Sequence, residues 1–427
     1  MKTMSEKNAK YQIDTDENRA FLEKIREGLL KFGHQFPSPG GGSYYLGDDG
    51  TPWKDRPRET WITSRMAHVY SLGTFLGHEG SEALVDAALN GLMGELHDAK
   101  NSGWYAGLKA DGQILPDKQC YAHAFVILAA SSATLAGRPG AKELLKEALI
   151  FYDSYFWNEE EGLSCDTWNT ELTVLDDYRG LNANMHTVEA FLAAADVIPN
   201  DEYRVRAERI IDHVLGWASE NDWRIPEHFS KDWIPDLECN KDRPDDQFKP
   251  YGATPGHGIE WARLVTQWAL SVPAFEERTG VVGESHRQPA KYIEAAEKLY
   301  NRAVSDAWNA DGAPGIVYTT DWEGKPVVHD RMHWTLAEAI NTSAVLYRAT
   351  GKEKYAADYA QFLQYLDEKV LDPVNGSWFH QLDRGNQVIG TVWPGKPDLY
   401  HALQATLIPY YEPSVSIAPA VKKGLRK

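Results

Sequence analysis

Cysteine is scarce. The chain has three in 427 residues, Cys120, Cys165 and Cys239, widely spaced and in no CxxC pair. That argues against a disulfide scaffold and a cysteine-ligated metal, and for reduced thiols in a cytoplasmic protein. No apolar run reaches the roughly 18 residues that span a bilayer. The opening stretch, MKTMSEKNAKYQIDTDENRA, lacks the apolar centre of a signal peptide. No long Lys/Arg run occurs and the formal net charge is −18, so neither nucleic acid nor an anionic membrane is expected as a partner. GxGxxG, P-loop and GxSxG motifs are missing, which removes support for dinucleotide, phosphoryl-transfer and serine-hydrolase chemistry. HExxH is missing too.

What is present is an ordinary globular composition, 43% hydrophobic and 25% charged, with ample material for a core. Apolar residues recur at i, i+3, i+4 and i+7, as in Leu145, Ala148, Leu149 and Tyr152. This spacing predicts helices near 16–32, 58–77, 80–98, 118–136, 141–155, 183–195, 201–220, 255–279, 287–308, 332–350, 352–370 and 397–408. Between them a second pattern repeats: DAKNSGWYAGLKADG, YFWNEEEGLSCDTW, DAWNADGAPGIVYTTDW and LDPVNGSWFHQLD. Each is an Asn/Asp/Gly turn followed by a short aromatic, β-prone run, and reads as a small hairpin. A helix–hairpin–helix unit repeated this way stacks as a solenoid or closes into a ring. About twelve helices and no polar capping repeat favour the ring. The expected fold is therefore all-α, an (α/α)6 barrel forming one domain over residues 1–427, with hairpins and loops walling a central pocket. The irregular segment 227–253, rich in Pro and Asp, is expected to be a lid or pocket wall.

Candidate chemistry centres on histidine. In TPGHGIEWARL, Thr254 and Pro255 signal a helix start, and His257 and Glu260 follow on one face. A histidine with a carboxylate one turn on suits general acid–base catalysis. On spacing alone the plainer reading, a helix-start histidine packed on Trp261 with its ring bonded to a backbone carbonyl, stays ahead. His186 with Glu189, His333 with Glu338, and His401 stand in comparable settings, and Trp61, Arg65 and His68 share a helical face. Asn182 and Asn184 can bind sugar hydroxyls or cap a helix. His-x-x-Glu reverses the ligand order of carboxylate-bridged metal bundles, so no metal is expected. The 15 Trp, 21 Tyr and 13 Phe include enough hairpin aromatics to stack on sugar rings.

Five segments taken in order, RGLNANMHTVEAF, TPGHGIEWARL, DAWNADGAPGIVYTTDWEGKPVV, RMHWTLAEA and WPGKPDLYHALQATLIP, resemble the N-acylglucosamine 2-epimerase superfamily. Within it they resemble the aldose–ketose isomerase branch, which includes mannose and sulfoquinovose isomerases. The resemblance runs from about residue 17 to the C-terminus. It implies an (α/α)6 barrel, a cytoplasmic intramolecular oxidoreductase, no cofactor and a monosaccharide substrate, in a monomer or homo-oligomer. It implies catalytic roles for His257, His401, Glu260 and Glu338. Arg65, Tyr121, Asn182, His186, Gln247, His380 and Trp393 would line the sugar site. His401 is favoured for the C1–C2 proton shuttle and His257 for ring opening. The sulfoquinovose pattern carries Arg, Gln and Gln where this chain has Gln247, His380 and Pro397. D-Mannose/D-fructose interconversion is therefore expected, with sulfoquinovose isomerisation or sugar 2-epimerisation as alternatives. A glycoside hydrolase built on Glu260 and Glu338 would leave both histidines unexplained, and a sugar-binding protein would not need them.

Overall fold

The computed structural model describes residues 9–198, 200–279 and 287–427. The first eight residues of the opening stretch lie outside these. Among the described residues there are thirteen α-helices: α1 (Asp16–Phe32), α2 (Thr60–Phe75), α3 (Ser81–Met93), α4 (Cys120–Leu135), α5 (Ala141–Tyr155), α6 (Leu181–Val197), α7 (Glu202–Glu220), α8 (Pro255–Thr279), α9 (Pro289–Ala307), α10 (His333–Thr350), α11 (Glu353–Tyr365), α12 (Tyr400–Ala405) and α13 (Ile417–Lys422). The first twelve answer the sequence expectation. α13 was not anticipated, because six residues are too short for a periodic signal.

Six of these helices form a closed inner ring. α2 packs on α4, α4 on α6, α6 on α8, α8 on α10 and α10 on α12, and α12 returns to α2. α3, α5, α7, α9 and α11 each back the inner helix that precedes them, and α1 packs on α12. The sequence explains the two layers. Every residue of α2 from Thr60 to Gly73, and of α10 from His333 to Leu346, is buried, so these helices are enclosed on all sides. Outer helices such as α5 bury one stripe, including Leu144, Leu145, Ala148 and Tyr152.

The four expected hairpins are all present as short turns closed by antiparallel pairing. They join His97 to Trp104, Trp157 to Ser164, Trp308 to Ile316 and Leu371 to Trp378. Each opens on a side chain that caps the turn: Asp98, Asn158, Asn309 and Asp372 accept backbone N–H groups two to six residues on. Two-residue strands just before α2, α4, α6 and α10 pair with strands further along the chain. This pairing fixes where the first turn of each of those helices begins.

Four helix limits depart most from the expectation: the ends of α3, α11 and α12 and the start of α12. α11 passes at Tyr365 into a π-helical turn over Leu366–Val370, and α12 ends at Ala405. α3 stops at Met93 because Gly94 leaves helical backbone (φ −114°, ψ −114°). α12 begins at Tyr400, whose N–H is taken by Asp398 Oδ1 at 2.9 Å.

Two turns are reinforced identically. Lys118 Nζ bonds Asp98 Oδ2 (2.9 Å) and Ser102 O (2.6 Å), and Lys396 Nζ bonds Asp372 Oδ2 (2.6 Å) and Gly376 O (2.7 Å). Both lysine side chains are fully buried. Removing one partner leaves a buried charge alone. Lys396→Met is expected to lower unfolding free energy by about 3–5 kcal/mol, read from urea midpoints. A loss under about 1 kcal/mol would put the pair in the class of surface bridges.

Candidate active site

A pocket of about 560 Å3, counted out to its open mouth, lies at the N-terminal ends of the inner helices. Its wall takes Arg65 from α2, Tyr121 from α4, Asn182 and His186 from α6, His257 and Glu260 from α8, His333 and Trp334 from α10, and His401 from α12. Gln247, Phe248 and Pro250 come from the irregular loop, which is therefore a pocket wall. Tyr318, His380, Trp393, Pro397 and Asp398 complete the enclosure. Every residue expected at the sugar site lies in this wall except Glu338, which is fully buried behind His401.

His401 Nδ1 lies 3.0 Å from Glu338 Oε1. Burial, the Arg65 charge and the nearby His333 push the His401 pKa well below its ordinary value. Its imidazole is neutral at neutral pH, with Nδ1–H donating to Glu338. His257 packs on Trp334 with ring centroids 5.0 Å apart, and His401 lies 5.9 Å from the same indole. The expected partner of His257 was Glu260. The structure instead sets His257 Nδ1 3.1 Å from Glu227 Oε2 and turns Glu260 toward Arg263. The Thr254 hydroxyl, read as a helix cap, is buried without a partner; the Thr254 carbonyl accepts the His257 N–H at 2.9 Å.

Beneath the pocket Arg263 gathers three carboxylates. Its Nε donates to Glu338 Oε2 (2.7 Å), one terminal nitrogen to Glu260 Oε1 (3.2 Å), and the other lies 3.8 Å from Glu189 Oε1. Burial and the neighbouring Glu338 charge raise the Glu260 pKa well above the ordinary value, and burial raises Glu338. Burial acts on Glu189 in the same sense, but the His186 contact and Arg263 outweigh it and leave Glu189 low. Two sets, His186–Glu189–Glu260 and Glu260–Glu338–His401, each place their ligand atoms within 4.8 Å of one another, close enough for a metal ion. The Arg263 guanidinium already supplies positive charge to all three of those carboxylates.

Arg65 stands at the other side of the pocket. It bonds Asp398 Oδ2 (3.2 Å) and the Tyr121 hydroxyl (2.9 Å) and lies 4.4–4.8 Å from the rings of Phe125, Tyr400 and Trp61. Burial raises Asp398, but the Arg65 charge more than offsets this and keeps it ionised. At a third side His333 and His380 stack at 3.6 Å. Both His380 nitrogens and His333 Nδ1 have no partner. Burial pushes His333 down to about 4 and, with His333 beside it, His380 well below its ordinary value. Phe248 meets Trp61, Tyr121 and Trp393 edge-on and closes the mouth.

Glu227, Asp398, Arg263 and Phe248 were not identified from sequence as site residues. Asp398 sits in the quoted WPGKPDLYHALQA segment and Arg263 one turn after Glu260, so both were within reach of helical spacing. Glu227 and Phe248 lie in irregular chain with no period to read. A second cavity of about 530 Å3 lies beyond Glu189 and Arg263. Its walls mix aliphatic side chains with charged ones such as Asp196 and Arg204, and include neither His257 nor His401.

A barrel of paired helices with histidines, carboxylates and an arginine converging on a sugar-sized pocket defines a class. The chain belongs to the N-acylglucosamine 2-epimerase (GlcNAc 2-epimerase) family, whose model matches residues 41–405. It is 42% identical to a D-mannose isomerase of Pseudomonas cannabina pv. alisalensis, over 85% of this chain and 85% of that protein. It is 40% identical to a D-mannose isomerase of Thermobifida fusca, over 95% of this chain and 97% of that protein. A crystal structure of a D-mannose isomerase superposes with a TM-score of 0.80 at 26% identity, covering 91% of this chain and 97% of that one.

The raised Glu260 pKa has a measurable sign. Above its ordinary value of 4.5, the folded state must either hold a proton there or bury a charge, so this group costs stability increasingly as pH rises. Glu260→Gln keeps the shape without the titration. Its stability relative to the parent is expected to match near pH 4 and to exceed it by on the order of 1–3 kcal/mol at pH 8. Thermal unfolding across that range checks it; a difference independent of pH would refute the assignment.

Proposed function

We propose that the chain is a cofactor-free aldose–ketose isomerase that interconverts D-mannose and D-fructose in the cytoplasm, with the whole chain as one catalytic domain. The named relatives support the activity, and the His401–Glu338 pair is the observation that carries the mechanism. A neutral imidazole whose Nδ1–H is held by a carboxylate presents Nε2 as a base. In this mechanism His257 first opens the pyranose, through proton transfer from O1–H and to O5, which releases the C1 aldehyde. His401 then takes the proton from C2. The electrons of that bond form the C1–C2 double bond of a cis-enediol as the C1 carbonyl oxygen gains negative charge. Arg65, held by Asp398 and ringed by aromatics, faces this charge with fixed donors. Return of the proton to C1, with transfer of the O2 proton to O1, gives the ketose.

The distal end of the pocket decides between sugars. Gln247, His333 and His380 offer hydrogen bonds but no charge, since both histidines are neutral. Among the described wall residues the one permanent cation is Arg65, already paired with Asp398. A sulfonate buried here would lack a counter-ion, at a cost of several kcal/mol. A hydroxymethyl group suits the lining.

His257→Asn and His401→Asn are each expected to fold and to lose about 10²–10⁴ in kcat, the contribution of one acid–base group. Near-parental turnover of either would remove that histidine from the mechanism. D-Mannose should exceed sulfoquinovose in kcat/KM by at least about 10²-fold, measured on both sugars; comparable values would overturn the substrate assignment. Prolonged EDTA treatment should leave D-mannose turnover unchanged. A loss that a divalent metal restores would place an ion among Glu260, Glu338 and His401.

A further inference from the structure

We infer that Glu227 is the positioning residue for His257, a second histidine–carboxylate pair beside the hydrogen-bonded His401–Glu338, here within ion-pair distance but not aligned as a hydrogen bond. The inference rests on the reading of His257 as an acid–base group. Glu227 is 3% exposed, and its Oε2 lies 3.1 Å from His257 Nδ1. Glu227 Oε1 and His257 Nδ1 are both buried without an aligned hydrogen-bond partner. Among the described residues, His257 is the one base within ion-pair reach of this carboxylate. A buried carboxylate needs a donor or a proton, and a rotation of the imidazole across this 3.1 Å separation would bring Nδ1–H into line as that donor.

The placement follows from the backbone. Glu227 precedes the two-residue strand His228–Phe229, which pairs with Arg179–Gly180 just before α6. The Glu227 carbonyl accepts the N–H of Leu181, the first residue of that helix. The chain then loops out and returns at Thr254 to start α8. His228 ties the loop across its base: Nε2 bonds Pro250 O (2.8 Å) and Nδ1 bonds the Tyr178 hydroxyl (2.7 Å). Where the loop leaves the barrel and where it returns are thereby held side by side, with the carboxylate just before the outgoing strand and the imidazole on the first turn of α8.

Such a carboxylate would fix the imidazole rotamer and tautomer, leaving Nε2 for the substrate, and support positive charge when the ring takes a proton. Glu260, occupied by Arg263, does not supply this contact.

The test is a coupled pair of substitutions. Glu227→Gln should fold, keep KM for D-mannose within about twofold, and lower kcat about 10²-fold. Combined with His257→Asn, it should cost no further activity beyond about threefold, because a residue acting through His257 has nothing left to position. Glu227→Asp, which keeps the charge one carbon further back, should recover at least about a tenth of parental kcat. If Glu227→Gln does not fold, Glu227→Asp is carried through the same cycle and the coupling decides. Full additivity with His257→Asn, or parental kcat in Glu227→Gln while His257→Asn is inactive, would overturn this inference and leave the isomerase reading standing. Parental activity in His257→Asn would instead remove the reading on which it rests.

Discussion

The Arg263 guanidinium is the fixed point of this molecule. It is buried at the axis of the barrel and holds carboxylates from α6, α8 and α10 at once. Those helices can share one cation only in a narrow range of register and rotation. The same contact sets chemistry as well as packing. Glu338 meets Arg263 with one oxygen and His401 with the other, so the position of the imidazole is inherited from the ion pair beneath it. Three carboxylates face one guanidinium, and the imbalance is relieved by raising Glu260, which can then hold its proton.

Above this layer the pocket is built to keep imidazoles neutral. Burial lowers His186, His333, His380 and His401 alike. The inner helices point their N-termini at the same space, and the positive ends of their dipoles favour negative charge on whatever occupies it. An enediolate is such a charge. The base and the field are thus compatible: the first is uncharged before it acts, and the second stabilises what the action produces.

Much of this was legible in the chain. Period-3.6 patterning gave twelve helices, and the recurring Asn/Asp turns gave the repeat from which a ring could be argued. His257 and Arg65 stood out because they sit on helices, where spacing carries information; their roles, with those of His401 and the polar lining, came from the resemblance of whole segments to the family. Partnerships across the barrel were not legible. Nothing in the spacing of Glu338 and His401 shows that they touch, and Glu260 was paired with His257 because one turn separates them, whereas Arg263, also one turn away, takes it in the fold. Glu227 was invisible for a different reason: its contact depends on an irregular loop closing on itself, which no local pattern encodes.

The ring closes only when α12 meets α2, and α12 is nearly the last helix in the chain. Synthesis delivers the N-terminal elements first, so α2 is made with its seam open and waits for a partner more than three hundred residues away. Such distant pairing is entropically late. Since α12 also carries His401, closure and competence arrive together. An incomplete barrel exposes apolar helix faces yet lacks His401, one of the two histidines proposed for acid–base work, so the growing chain is vulnerable to aggregation before its pocket is complete.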